Sequence, residues 1–142
     1  MRALYVRQEM ILQFAHLAAS VAMITRATLL RTSPTGRQAF RRRAFPFMVA
    51  LGVTGCLCVG SNLMEIFVGF YSGAPGTTDV LNYLLTGPYA WFFVSESILP
   101  LLPVLLLLPA LGSRYWVTVA ISVLAALPAL LLVSLPLLRH FT

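Results

Sequence analysis

Four stretches long and apolar enough to cross a lipid bilayer, at about residues 10–30, 45–71, 88–111 and 115–138, leave this 142-residue chain little from which to build a water-soluble core. A hydrocarbon layer about 30 Å thick takes about 20 apolar residues per helix. Within it each backbone N–H and C=O has to be satisfied inside the protein, which restricts spanning segments to helices or a closed barrel. Uninterrupted apolar runs of this length read as helices, so the fold class is all-α: one membrane domain, 1–142, built as a polytopic bundle of about four transmembrane helices. Composition agrees, with 59% hydrophobic residues, 10% charged residues and a mean hydropathy of +0.88. Those values exclude a soluble domain.

Charge sets the expected topology. The net charge of +6 comes from ten arginines, five of them between Arg31 and Arg43 in RTSPTGRQAFRRR. Pro34 and Gly36 break a helix there, and the charges cannot enter lipid. Basic loops mark the cytoplasmic side. The loop 31–43, with Arg26 and Arg114, is therefore placed in the cytoplasm, while Arg2, Arg7 and Arg139, both termini and the loop 72–87 face outward. The first apolar run is read as a span and not a cleaved leader, because Glu9, Gln13 and His16 interrupt it and no small-residue cleavage site follows. Nucleic acid is not an expected partner, since basic and aromatic residues are not interleaved on a polar face.

Two isolated carboxylates carry most of the functional information. Glu65 in NLMEIFVGFY and Glu96 in GPYAWFFVSESILPLLPVLLLL lie inside apolar runs. An ionised carboxylate at membrane depth costs several kcal/mol or more, and it is kept mainly where it faces a bundle interior, a proton path or a ligand. Counting about 1.5 Å of rise per residue puts Glu65, Glu96 and His16 about 9–12 Å below the outer surface. Gln13, Asn62 and Tyr89 lie at or above that level. These residues are candidates for a polar cluster, each with a structural alternative. His16 either handles protons or donates to a neighbouring carbonyl, Glu65 either faces the bundle or reaches the headgroups, and Tyr89 either meets a ligand or joins Trp91 in the aromatic belt. Bis-histidine haem ligation is not expected, because the other histidine, His140, is at the chain end. Cys56 and Cys58 point about 200° apart on a helix and cannot bridge. The spacing Gly52-Cys56-Gly60 reads instead as a small-residue stripe for close helix packing. No metal site and no catalytic nucleophile is expected.

From Asn62 to Glu96, NLMEIFVGFY followed by LLTGPYAWFFVSESILPLLPVLLLL resembles the NrfD/PsrC family, the membrane subunits of polysulfide-reductase-like oxidoreductases and of alternative complex III. The likeness spans about residues 44–138, is clearest over Leu84–Glu96, and corresponds to the later four-helix half of the family. It implies a subunit in the bacterial cytoplasmic membrane that binds no covalent cofactor and exchanges electrons between a quinone, menaquinone among them, and an iron–sulfur ferredoxin-like subunit on the outer face. Other membrane subunits would supply the remaining helices. By the same resemblance Glu65 and Glu96 become proton-relay candidates, and Asn62 and Tyr89 quinone-proximal candidates; His16 joins the relay on the depth argument alone.

Three functions follow as expectations: a quinone-associated, proton-handling subunit of an electron-transfer complex; a non-catalytic structural or assembly subunit of a respiratory or photosynthetic complex; or a small ion-coupled transporter. In the first the chain is part of an oxidoreductase and not an enzyme alone. The topology has a direct check. In a background lacking native cysteines, a cysteine placed in the loop 72–87 should react with an impermeant reagent on intact cells and one in the loop 31–43 should not; the reverse pattern would invert the orientation.

Overall fold

In α1 (Arg2–Thr32) the buried positions are Gln13, His16, Ser20, Met23, Ala27 and Leu30. Steps of three and four residues alternate along this set, so it forms one stripe of a 3.6-residue helix. The second helix, α2 (Phe40–Tyr71), repeats the alternation with Ala44, Met48, Leu51, Gly55, Cys58 and Asn62. The last helix, α5 (Tyr115–Phe141), continues it with Thr118, Ser122, Ala125 and Ala129. This spacing is that of helices packed knobs-into-holes at a shallow angle. The opposite faces carry exposed Ile11, Phe14, Val21, Leu57, Phe67 and Leu124, the apolar surface that a membrane requires. The computed structural model describes residues 2–33, 35–36, 39–72, 76–88 and 90–141, with side chains except those of 2–9, 77–78, 80–81, 84 and 132–141.

The third span changes helix type halfway. It begins as α4 (Ala90–Ile98) and continues as a 3₁₀ segment, Leu99–Leu107, containing Pro100 and Pro103. A nine-residue 3₁₀ run is unusually long. Its physical cause is proline chemistry: neither ring nitrogen can donate, and each ring clashes with an α-helical preceding turn. The change also lengthens the span. At 1.5 Å per α residue and 2.0 Å per 3₁₀ residue, Ala90–Leu107 extends about 31 Å, against about 27 Å as a continuous α-helix. That matches a hydrocarbon core of about 30 Å.

The spans form a ring in which α1 packs against α2 and α5, and the 3₁₀ segment also packs against α2 and α5. The closest approach is at Gly55, where a Cβ would overlap the Pro100 carbonyl oxygen and lie 3.3 Å from His16 Cε1. In a 3₁₀ pattern that carbonyl would receive the N–H of residue 103, which Pro103 lacks. A proline-freed carbonyl is thus covered by glycine backbone. Below this level lies the apolar core of Met23, Ala27, Leu30, Phe40, Ala44, Met48, Leu51 and Leu106. Arg41 Nη2 donates to the Leu107 carbonyl at 3.2 Å, placing a cation at the C-terminus of the 3₁₀ segment.

Three helices among the described residues are long and apolar enough to cross a membrane, and α5 is apolar over its described portion, Tyr115–Leu131. Several boundaries differ from the sequence expectation. α1 begins at Arg2 and α2 at Phe40, so Arg41, Arg42 and Arg43 sit in the first turns of α2 and not in a loop. The connection 72–87 contains its own helix, α3 (Thr77–Thr86), preceded by left-handed Gly76 at φ 80° and carrying Asp79 in its first turn, where a carboxylate complements the helix dipole. After the 3₁₀ segment, one helical turn, Pro109–Gly112, leads to α5.

The small-residue stripe also lies elsewhere. Cys56 is exposed and Gly60 has open space, whereas Gly52, Gly55 and Cys58 are buried. Repeated steps of four drift about 40° each around a helix, so only the alternation of three and four stays on the seam. Gly55→Ala should therefore be destabilising, by about 1–3 kcal/mol as for an overpacked core, while Gly60→Ala should be near neutral. Thermal unfolding of the two variants in the same detergent checks the contrast.

Candidate functional site

His16 joins three elements at mid-membrane. Its Nε2 lies 3.2 Å from the carbonyl oxygen of Ala125 on α5, and its Nδ1 lies 3.0 Å from Thr54 Oγ1 on α2. A carbonyl only accepts, so Nε2 carries a proton and donates it. Pro128, three residues further along α5, cannot donate to the Leu124 carbonyl. Thr54 Oγ1 also lies 3.1 Å from the Leu51 carbonyl, but the hydroxyl has one proton for two directions. With a neutral ring Thr54 donates to Nδ1; with a doubly protonated ring Nδ1–H donates to Thr54, which donates to Leu51. The site therefore accommodates one added proton by rotating one hydroxyl.

Ser20 and Ser122 continue the seam, each donating to a carbonyl of its own helix, His16 at 3.0 Å and Thr118 at 2.8 Å. Such back-bonding lets a polar side chain enter an apolar interface without an unsatisfied hydroxyl. His16 shares its level with Gly55 and Pro100, about 15 Å along the span from Ala90. This places it midway along the bundle, inside the candidate span Met10–Thr32.

One turn toward the outer side, a second group of polar side chains is buried. Glu96 is 8% exposed and is the buried residue of α4, whose other side chains face outward or lie partly covered. Cys58 Sγ donates to the Leu12 carbonyl at 3.5 Å, which fixes the α1–α2 register and puts buried Gln13 and Asn62 within about one turn of that level. Glu96, one α-helical turn before Pro100, lies on the same side of its span and at the same height. Gln13 Oε1 is buried and has no hydrogen-bond partner among the described residues. In a membrane such an acceptor is costly and marks a place for a donor.

The candidates therefore separate. Glu96 and His16 face the seam, with Asn62 alongside. Glu65 is exposed on α2, directed away from the seam toward lipid or a neighbouring protein. Tyr89 lies outside the described residues. Sequence reasoning did not single out Thr54, Ser20, Ser122 or the Ala125 carbonyl, although the alternating three-and-four spacing of His16 and Ser20 with Met23, Ala27 and Leu30 was the signal that could have found the seam.

A double-mutant cycle on His16→Phe and Thr54→Val should return a coupling of about 0.6–1.7 kcal/mol, the range for hydrogen bonds between membrane helices. A coupling near zero would mean that the contact does not contribute to holding the bundle. No protein family, curated protein or solved structure matches the chain, so its reading rests on its own residues and geometry.

Proposed function

We propose that this chain is the membrane-embedded subunit of a larger electron-transfer complex, in which Glu96 passes protons between the outer side and the seam at His16 alongside quinone chemistry on a neighbouring subunit. The observation that carries this reading is the inward burial of Glu96, a carboxyl retained at a helix–helix level where apolar packing would be cheaper. Gln13 Oε1 offers an acceptor at that height, and His16 has a hydrogen-bond arrangement for either protonation state. The resemblance of the Asn62–Glu96 region to NrfD/PsrC subunits points to a quinone, menaquinone among the options, and to an iron–sulfur partner outside. Asn62, buried on α2, is a quinone-proximal candidate by the same resemblance. Exposed Glu65 fits a contact with another subunit of the bacterial membrane assembly.

A second reading, a structural subunit that holds larger proteins together, is favoured by the satisfied hydrogen bonds of His16 and the back-bonded serines. Glu96→Gln separates the two, because it keeps shape and hydrogen bonding but cannot titrate. In the native complex, isolated through a tag on this chain, the relay predicts normal assembly with quinone-linked turnover or proton uptake reduced tenfold or more, as for loss of a positioned proton-transfer group. Unchanged turnover and proton uptake in a fully assembled Glu96→Gln complex would leave the structural role.

A further inference from the structure

The inner end of this chain carries arginines without carboxylates, while Arg2, Arg7 and Arg139 share the outer end with the acidic residues. All four carboxylates, Glu9, Glu65, Asp79 and Glu96, fall in the outer half or the outer connection, whereas Arg26, Arg31, Arg41, Arg42, Arg43 and Arg114 gather at the inner end with no acidic residue among them. Arg41–Arg43 sit at the N-terminus of α2, where the helix dipole disfavours cations. Arg26 Nε and Arg41 Nε are buried without a hydrogen-bond partner among the described residues. The Nε–H groups of Arg26 and Arg41 thus remain open to an acceptor from outside the described residues.

At that end a cleft of about 310 Å³ opens between α1, α2 and the start of α5, lined by Arg31, Phe40, Ser113, Tyr115 and Trp116. The Arg31 guanidinium lies 4.8 Å from the Tyr115 ring centroid and 4.5 Å from that of Trp116, and the two rings meet edge-to-face at 5.0 Å. Stacking on two rings fixes the plane of the cation and so preorganises it for a planar or bidentate acceptor. Ser113 adds a hydroxyl. Tyr115 and Trp116 are the first two residues of α5, where backbone N–H groups have no intrahelical acceptor. The height is that of the headgroups, because the third span ends at Leu107 after crossing about 31 Å and the cleft residues of α5 follow just beyond it.

We propose that this cleft binds the phosphate of an anionic phospholipid, with Arg31 holding the phosphodiester, Ser113 donating to it, and exposed Trp116 and partly covered Tyr115 lying along the glycerol and upper acyl chains. Phosphate chemistry alone would also suit a soluble anion. Lipid is favoured because the cleft combines a cation with an aromatic wall at the interface, and the surface around it is apolar on the membrane side, with Trp116 66% exposed and Leu29 58% exposed.

The two tryptophans make the test local, since Trp91 lies at the opposite end of the third span. The full chain carrying Trp91→Phe is reconstituted in phosphatidylcholine vesicles in which a minority of lipid is brominated, either phosphatidylglycerol or phosphatidylcholine. Brominated phosphatidylglycerol should quench Trp116 at a several-fold lower mole fraction than brominated phosphatidylcholine, while Trp91 in the Trp116→Phe chain should show no such preference. Arg31→Gln should reduce the preference at Trp116 by about fivefold, the factor one interfacial cation contributes, and Arg43→Gln, outside the cleft, should leave most of it. Equal quenching by the two lipids in the unaltered cleft would overturn the proposal without relying on any cleft variant. Relief of quenching by inorganic phosphate, beyond that given by chloride at the same ionic strength, would assign the site to a soluble phosphate and equally overturn it.

Discussion

The contact between Gly55 and the Pro100 carbonyl governs the arrangement of the other elements. Lipid offers no hydrogen bonds, so a carbonyl left without its donor by Pro103 has to be covered by protein. Only a residue without Cβ lets α2 approach closely enough to cover it. That approach sets the level at which α1 brings His16, and it places Glu96 one turn further out on the same side. Without it the 3₁₀ segment would have no reason to dock against α2 at this height, and the two polar groups would have no common seam.

The seam is divided along its length. The half nearer the loop 31–43 is filled mainly by Met23, Met48, Leu51 and Leu106, with buried Thr118 donating back to the Arg114 carbonyl of its own chain segment. From Ser20 and Ser122 outward it becomes polar through His16, Gln13, Asn62 and Glu96. In water such a division would be of little consequence, because the hydrophobic effect would hold the helices together throughout. In lipid, association depends on packing and interhelical hydrogen bonds, and the polar half supplies such bonds. His16 is tied by hydrogen bonds to α2 and α5, and Glu96 is buried on α4. A 3₁₀ segment with weaker hydrogen-bond geometry beside both makes this the part of the bundle most able to adjust.

Charge placement is the other organising feature. The end that carries Arg26, Arg31, Arg41, Arg42, Arg43 and Arg114 holds no carboxylate among the described residues, whereas Arg2, Arg7 and Arg139 share the other end with Glu9, Glu65, Asp79 and Glu96. Arg41 caps the 3₁₀ segment at Leu107, and Arg31 stacks on Tyr115 and Trp116. Helix capping and ring stacking thus draw on the same set of cations.

The number and class of the spans, their all-helical nature and the presence of two lone carboxylates, Glu65 and Glu96, within them were legible in the sequence, because bilayer thickness and the cost of buried charge act on composition and run length alone. Helix ends were less so, since helices extend past the apolar residues that mark them, as α1 does to Arg2 and α2 to Phe40. The connection 72–87 reads as a loop by its glycines and Pro75, yet it contains α3. Which polar residues meet was decided by tertiary structure alone. Glu65 and Glu96 are alike as lone carboxylates in apolar runs, and only the rotation of each helix against its neighbours turns one outward and the other into the seam. Thr54 and the Ala125 carbonyl become partners of His16 through a geometry that arises between helices, where no local pattern of residues encodes it.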